Sequence, residues 1–128
     1  MQTMAADNFS AQHWPIEIRY KKDEKILEID FDDGAKFCLP AELLRVESPS
    51  AEVQGHAADQ KKIVAGRRHV GIIEIEPVGN YAVRLKFDDM HDTGIYSWQF
   101  LHELGQKQET VWLDYLAALA ASGFSRDP

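Results

Sequence analysis

Residues 85–105 read LKFDDMHDTGIYSWQFLHELG and predict a strand, an acidic turn, a short strand and a helix in succession. The strand is indicated by alternating apolar and polar residues that end at Phe87. Ser97 is a favourable N-cap residue, and the apolar residues after it recur at helical spacing up to Gly105, which we expect to end the helix. Because the acidic turn gathers groups capable of chemistry between two ordered elements, we expect a functional site there.

The same order of elements is predicted once more, earlier in the chain. Residues 29–44 read IDFDDGAKFCLPAELL, in which Phe31-Asp32-Asp33 matches Phe87-Asp88-Asp89 at an offset of 56 positions. We interpret the match as an internal repeat of two strand–turn–strand–helix halves. The second copy adds an imidazole and two aromatic side chains that the first lacks: His91, Tyr96 and Trp98. Function is therefore expected in the second copy.

Alternating patterns elsewhere complete the predicted fold. Further strands are indicated at residues 16–20, 27–31, 37–39, 70–78 and 81–87. In the strand at 70–78, Ile73 and Ile75 are expected on one face. The fold class predicted is α+β: a small mixed, mostly antiparallel sheet built from two similar strand–turn–strand–helix halves, plus a C-terminal helix.

The predicted organisation has three parts. Residues 1–13 are expected to be a flexible N-terminus, and residues 14–106 a single domain that contains a long, partly ordered loop at 47–69. Residues 107–128 are expected to form a C-terminal helix that is apolar on nearly every face and ends at Gly123. Such a helix is predicted to pack on the domain or on a partner chain.

Composition limits the classes of partner. The chain of 128 residues has a net charge of −7, so neither nucleic acid nor an anionic membrane surface is expected as a partner. The N-terminal residues lack the pattern of a signal peptide, and no apolar run approaches the roughly 20 residues of a membrane span. The single cysteine, Cys38, excludes an internal disulfide, and the cytoplasm is the expected compartment.

Three segments carry a resemblance to a known family. They are LRVESPSAEVQGH at 44–56, GRRHVGIIEIEPVGNYAVRLKFDD at 66–89 and HDTGIYSWQFLHELG at 91–105. Over about residues 14–105 the chain resembles the GBBH-like N-terminal domain family, small bacterial proteins and appended domains of unknown function similar to the N-terminal domain of gamma-butyrobetaine hydroxylase. The resemblance implies a small α+β fold. Because a similar domain is attached to Mrp-type P-loop ATPases that carry iron–sulfur clusters, it also implies a link to iron–sulfur protein assembly.

The resemblance further implies that a zinc site has been lost. The domain in the hydroxylase resembles a zinc module with three cysteines and a histidine. Ser48, Ser50 and Val53 fall about where those cysteines do, and His91 falls about where the histidine does. Since hydroxyl groups and a valine cannot replace thiolates, we expect no zinc and no other cofactor. Met90 also stands where a glycine is expected in this turn.

The candidate site residues lie in two parts of the chain. Those predicted to bind a ligand or partner are Asp88, Asp89, His91, Asp92, Tyr96, Trp98, Arg67 and Arg68. A solvated acidic turn, core aromatics and an exposed basic loop are the alternatives. Because three carboxylates outweigh the half charge of one helix start, the expected ligand of the turn is a divalent cation or a Lys/Arg-rich partner segment. His102, on a helix face, is expected at the surface.

Three classes of function follow from these residues. The leading hypothesis is a non-catalytic binding or accessory module whose partner is another protein. A hydroxylase would need a separate catalytic domain with an iron site, and the sequence has no P-loop, GxSxG or GxGxxG motif. The alternatives are a small metal-dependent enzyme centred on residues 88–92 and a structural domain that forms a homodimer through the C-terminal helix.

Overall fold

The structure, a computed structural model, describes residues 13–128. Its strands are β1 (Pro15–Lys21), β2 (Ile26–Phe31), β3 (Lys36–Pro40), β4 (Ile72–Val78), β5 (Ala82–Phe87) and β6 (Gly94–Ser97). Its α-helices are α1 (Ala41–Val46), α2 (Ala51–Gln54), α3 (Trp98–Gln106) and α4 (Gln108–Ser122), with a 3₁₀ turn at Ala58–Gln60. Of the N-terminus that we expect to be flexible, residues 1–12 lie outside the described residues.

The strands pair antiparallel in two three-stranded sheets, one for each half of the chain. The first sheet has the order β1-β2-β3 and the second the order β4-β5-β6. The helix α1 begins directly after β3, and α3 begins directly after β6. The predicted α+β class and the two similar halves are therefore confirmed, with the six strands divided between two sheets.

The two acidic turns close in the same way. The Phe31 N–H donates to the Ala35 carbonyl at 2.8 Å, and the Phe87 N–H donates to the His91 carbonyl at 2.9 Å. The third turn residue has a positive φ in both halves: Gly34 at +90° and Met90 at +75°. The backbone at Met90 therefore has the conformation of a glycine turn although the side chain is long.

A single apolar core joins both sheets. Its fully buried members include Leu27, Ile29 and Leu39 from the first sheet and Leu85 and Phe87 from the second. The helix α3 of the second half packs against β3 of the first. Since each half contributes to the same buried cluster, the halves form one domain.

The structure differs from the sequence pattern at β4. Ile73 was expected to share a face with Ile75, but its side chain is 59% exposed. The pairing of β4 with β5 shifts register between Ile72 and Glu74, and such a bulge turns the inserted residue away from the core. The equivalent Ile16 lies at the same shift in β1 and is 71% exposed.

Gly105 does not end its helix, contrary to the prediction. The helix α3 continues to Gln106, and Lys107 joins it directly to α4. A Cβ at Gly105 would overlap the Phe37 ring of β3. Glycine is thus required here by the close approach of helix and strand and not by helix termination. Gly123, in contrast, ends α4 in the left-handed conformation that we expected.

The C-terminal helix packs on the domain from which it extends. Val111 and Trp112 contact the main core, while Tyr115 and Leu119 form a second buried cluster with Val46 of α1. The Tyr115 hydroxyl donates to the Val64 carbonyl in the long loop. No helix within residues 13–128 combines the length and the apolar character needed to cross a bilayer.

The close contact between Gly105 and Phe37 generates a stability prediction. We expect Gly105→Ala to lower the free energy of unfolding by about 1–3 kcal/mol, the range for overpacking a packed core. Alanine is preferred to glycine in a helix interior by roughly 1 kcal/mol. The overlap of the new Cβ with the Phe37 ring should cost more than this preference gains, so the net effect should be destabilising. Urea denaturation measures the change.

Phe37→Ala provides the matched background for this test. Without the ring, Gly105→Ala should be neutral or stabilising, because only the helix preference remains. If Gly105→Ala in the otherwise wild-type protein leaves the urea midpoint unchanged or raises it, the packing explanation is wrong.

Candidate functional site

Asp89, the second acidic residue of the turn that follows β5, is held by two arginines. Its Oδ2 accepts from Arg45 Nε at 2.7 Å and from Arg67 Nε at 2.6 Å. Its Oδ1 accepts the His91 backbone N–H at 3.1 Å. Burial alone would raise the pKa of Asp89, but these hydrogen bonds and the nearby guanidinium charges lower it overall. Asp89 is therefore an internally neutralised carboxylate.

His91 lies in a buried polar network beside this carboxylate. Its Nε2 is 2.9 Å from the Ser48 Oγ, and its Nδ1 is 3.0 Å from Glu52 Oε1. Ser48 is fully buried and its Oγ also accepts the Ser50 backbone N–H at 3.2 Å. An ionised Glu52 can only accept, so the Nδ1 carries the proton and the Ser48 hydroxyl donates to Nε2.

Ser48, His91 and Glu52 have the connectivity of a nucleophile, base and acid triad. The serine, however, has no exposed surface from which to attack a substrate. Its hydroxyl is committed to His91 and receives the Ser50 N–H, so the network links α2 to the acidic turn. The arrangement therefore acts as a polar clamp between the two halves of the chain, in which Ser48 and His91 are buried and the Glu52 side chain is 63% exposed.

Burial lowers the pKa of His91, and the positive charge of Arg45 lowers it further. The carboxylates of Glu52 and Asp89 oppose this shift without reversing it. The imidazole is therefore neutral near pH 7, in agreement with the tautomer that the hydrogen bonds require. A neutral imidazole bonded on both nitrogens is a structural group here.

The serine and histidine positions that the resemblance associates with zinc do come together. Ser48 and His91 are in direct contact, and Ser50 Oγ lies 2.6 Å from Thr93 Oγ1. Val53 is buried, with 2% of its surface exposed. Hydrogen bonds among hydroxyl groups and one imidazole thus occupy this region, and none of these groups is a thiolate.

Of the other predicted site residues, Tyr96 lies beside Ser48 of the His91 network, whereas Trp98 and Arg68 make their contacts elsewhere. Tyr96 is fully buried, and its hydroxyl donates to the Leu44 carbonyl at 2.6 Å. Trp98 is half-buried and donates its indole N–H to the Asn80 carbonyl. Arg68 points to Asp127 of the C-terminal tail at 2.6 Å. These three side chains stabilise the fold locally.

The carboxylates of the turn do not converge on a common point. Asp88 is exposed, whereas Asp92 is half-buried and its carbonyl accepts from Arg84. Within residues 13–128, the turn's carboxylates and His91 do not gather into a set that could hold a metal ion. Asp88 and Met90, which is 73% exposed, remain at the tip of the turn.

The structure contains a second cluster of polar side chains, which the sequence did not predict. His102, expected at the surface, is 2% exposed, and its Nε2 lies 2.9 Å from Asp33 Oδ2 in the first acidic turn. His13 lies against the same carboxylate oxygen. The repeat contained a signal for part of this contact. Asp33 matches Asp89 at an offset of 56, and after one residue inserted in the second copy Arg45 matches His102 at an offset of 57.

A groove of about 680 Å³ lies where α1, α3, α4 and the C-terminal tail meet. Its charged groups are largely paired with one another. Arg126 makes two hydrogen bonds to Glu42, at 2.7 and 2.8 Å, and lies over the Trp112 ring at 5.1 Å. These contacts fasten the tail and leave the groove without converging reactive groups.

We expect no chelator-resistant zinc at His91, because serine hydroxyls and a valine stand at the positions where thiolates are needed. Elemental analysis after dialysis against EDTA should find far less than one zinc per chain. Retention of one zinc that is then lost in His91→Gln would contradict this expectation.

The lowered pKa of His91 predicts a pH dependence of stability. Because the unfolded state binds this proton more readily, the free energy of unfolding should fall as the pH drops below about 6.5. The wild type should lose about 1.4 kcal/mol more than His91→Gln for each unit by which folding depresses this pKa. Urea midpoints for both proteins at pH 7.5 and pH 5 measure the difference, and parallel losses would show that His91 is not responsible.

Solved structures with similar sequences share this fold. Two solution NMR structures are 44% and 45% identical, with TM-scores of 0.81 and 0.80. The first match covers 92% of this chain and 93% of the other, and the second covers 100% and 92%. A crystal structure from Acidithiobacillus ferrooxidans is 42% identical over 71% of this chain and 91% of the other, with a TM-score of 0.61.

The crystal structure is of a protein with unknown function that belongs to the DUF971 family. No curated protein matches the chain. The sequence profile described as gamma-butyrobetaine hydroxylase-like, N-terminal, matches residues 18–102, which are most of the chain. With this match over the two repeated halves, the chain belongs to the gamma-butyrobetaine hydroxylase-like N-terminal domain family.

Proposed function

We propose that this chain is a non-catalytic accessory module that binds another protein through the turn at residues 88–92, here called the Met90 turn. One observation carries the proposal. The Met90 side chain is 73% exposed, and its backbone has a φ of +75°. A large apolar side chain is thus presented to solvent from a conformation that L-residues rarely adopt.

The conformation of Met90 is unfavourable for stability. The left-handed region costs an L-residue roughly 1–2 kcal/mol, and Gly34 avoids this cost at the same place in the first turn. Strained backbone of this kind is concentrated at functional sites. A flexible, polarisable methionine suits a shallow pocket on a partner, which supplies a reason for the side chain.

The base of the Met90 turn is rigid. The Phe87 N–H closes it on the His91 carbonyl, and the two arginines hold Asp89. A turn held in one conformation loses little entropy when it binds, which favours recognition. The exposed Asp88 lies beside Met90 and adds negative charge at the rim. With a net charge of −7, the chain favours a partner segment that carries Lys or Arg around an apolar pocket.

The partner is proposed to be a cytoplasmic protein. The iron–sulfur link implied by the resemblance makes cluster-assembly proteins the first group to examine. An enzyme centred on residues 88–92 receives less support, because Asp89 is neutralised by two arginines and His91 is buried between Ser48 and Glu52. The binding proposal needs only the exposed tip of the turn.

A pair of variants tests the proposal. Met90→Gly should raise the free energy of unfolding by about 1 kcal/mol, because it relieves the strained backbone. The same change should reduce the recovery of the partner at least tenfold, as expected when an apolar anchor worth more than about 1.4 kcal/mol is removed. Thermal denaturation and quantitative affinity capture from native cells measure the two effects on one protein.

Leu113 supplies the matched control, since it is also a large apolar residue, 58% exposed, but lies on the helix α4 and not in the Met90 turn. A photo-crosslinking residue at position 90 should label the captured partner, and the same residue at position 113 should not. Equal labelling at both positions, or undiminished capture by Met90→Gly, would contradict the proposal. Labelling of a second copy from position 113, with a doubled mass in solution, would favour the homodimer alternative.

A further inference from the structure

We propose that His13, Asp33 and His102 form a binding site for a divalent first-row transition metal ion such as Zn²⁺. The site belongs to the acidic turn of the first half, so it is separate from the Met90 turn and from the network around His91. Two imidazoles and one carboxylate make up the ligand set.

The ligand atoms already converge. Asp33 Oδ2 lies 3.2 Å from His13 Nδ1 and 2.9 Å from His102 Nε2, and all three atoms lie within 4.8 Å of one another. Ligands bound to zinc at about 2.0–2.1 Å in a tetrahedron are roughly 3.3 Å apart. The Asp33 oxygen is already at about this spacing from both nitrogens, and the two stacked rings would tilt toward each other to direct their in-plane lone pairs at one ion.

The two imidazole rings are arranged unfavourably for a pair of protonated histidines. They are stacked with centroids 3.5 Å apart and planes within 6°. Two cationic rings at this distance would repel each other, whereas two neutral rings can each supply a lone pair to a metal ion. Both rings also share one oxygen of one carboxylate, which brings a single negative charge to the same point.

Neighbouring groups hold the ligands in place. Asp33 Oδ1 accepts the Ala35 backbone N–H at 3.0 Å, which leaves Oδ2 for the two imidazoles. The His102 ring packs edge-on against Phe31 and Phe37, with centroids 4.9 and 5.3 Å away. Support of this kind orients metal ligands and raises affinity. His102 is the buried ligand, whereas the side chains of His13 and Asp33 are 34% and 38% exposed, so the site opens to solvent on their side.

The other half of the molecule shows that the fold does not require these histidines. There the equivalent helix-to-turn contact is made by Arg45 and Asp89. An arginine has no lone pair for a metal ion, whereas the histidine at the equivalent position 102 offers one from its ring nitrogen. His13 then adds a second nitrogen ligand on the same oxygen.

The ligand types determine the class of metal. Imidazole nitrogens with one carboxylate suit Zn²⁺ or Fe²⁺, whereas Mg²⁺ and Ca²⁺ prefer oxygen ligands throughout. Three protein ligands leave at least one coordination position open to water or to another molecule. Because the set contains no thiolate and both His13 and Asp33 are near solvent, EDTA should remove the ion, consistent with the expected absence of chelator-resistant zinc.

Titration of EDTA-treated protein with ZnCl₂, followed by calorimetry and by two-dimensional NMR, tests the site. One ion should bind per chain, and the ring and amide signals of His13, Asp33 and His102 should shift together. His13→Gln and Asp33→Asn should each weaken binding more than tenfold, because loss even of a group that only supports a ligand costs 10–100-fold. Saturating Zn²⁺ should raise the melting temperature of the wild type.

His13 is the more informative of the two substitutions, because the core does not depend on it and the variant should fold. His56→Gln removes an exposed histidine elsewhere and is expected to bind Zn²⁺ as the wild type does. The proposal is overturned by the absence of saturable binding at millimolar Zn²⁺, by unchanged affinity in His13→Gln, or by signals that shift at His56, His69 or His91 instead.

Discussion

Each half of the molecule places a helical side chain on the acidic turn of the other half. Arg45 of α1 pairs with Asp89, and His102 of α3 bonds to Asp33, across 44 and 69 positions of sequence. Each contact joins a helix of one half to the acidic turn of the other. The two sheets are thus joined by reciprocal polar contacts as well as by the shared core, which couples the folding of one half to that of the other.

The same reciprocity governs how closely the halves pack. Phe37 of β3 packs on Gly105, while at the equivalent positions of the other half Gly94 of β6 packs on Ser48. In the first contact the large Phe37 of a strand faces Gly105 of a helix. In the second contact the strand residue is Gly94, and it faces the small Ser48. A Cβ at Gly94 would lie only 2.5 Å from the Ser48 Oγ, so neither glycine position tolerates a larger residue.

Much of the fold was predictable because its signals are local. Strand alternation, the repeated Phe-Asp-Asp turns and the αL glycine at position 123 are all visible within a few residues of sequence. Gly105 was misread because the residue that requires a glycine, Phe37, lies far away in the chain. Ile73 was misplaced because a bulge shifts the register, and a periodic pattern contains no sign of one.

The candidate site was less predictable, because its chemistry depends on pairings between distant segments. Three carboxylates near Met90 suggested a cation site, yet Arg45 and Arg67 neutralise Asp89 from 44 and 22 positions away. His102 looked like a surface residue because the helix pattern alone does not show that α3 packs on the first sheet. The aligned repeat held the missing information, since it pairs Arg45 with His102 and Asp33 with Asp89.

The two halves therefore share the same order of strands, turn and helix but carry different side chains at equivalent positions of the turns and helices. Gly34 relieves the first turn of strain, and the histidines collect around it, whereas the second turn keeps a strained Met90 and secures its carboxylate with arginines. Glycine in both turns would remove the strain at Met90. The helix residue that contacts the opposite turn is Arg45 in one half and His102 in the other, so the halves also differ at this position. The two proposals therefore assign different roles to the two halves: metal binding to the first turn and protein binding to the second.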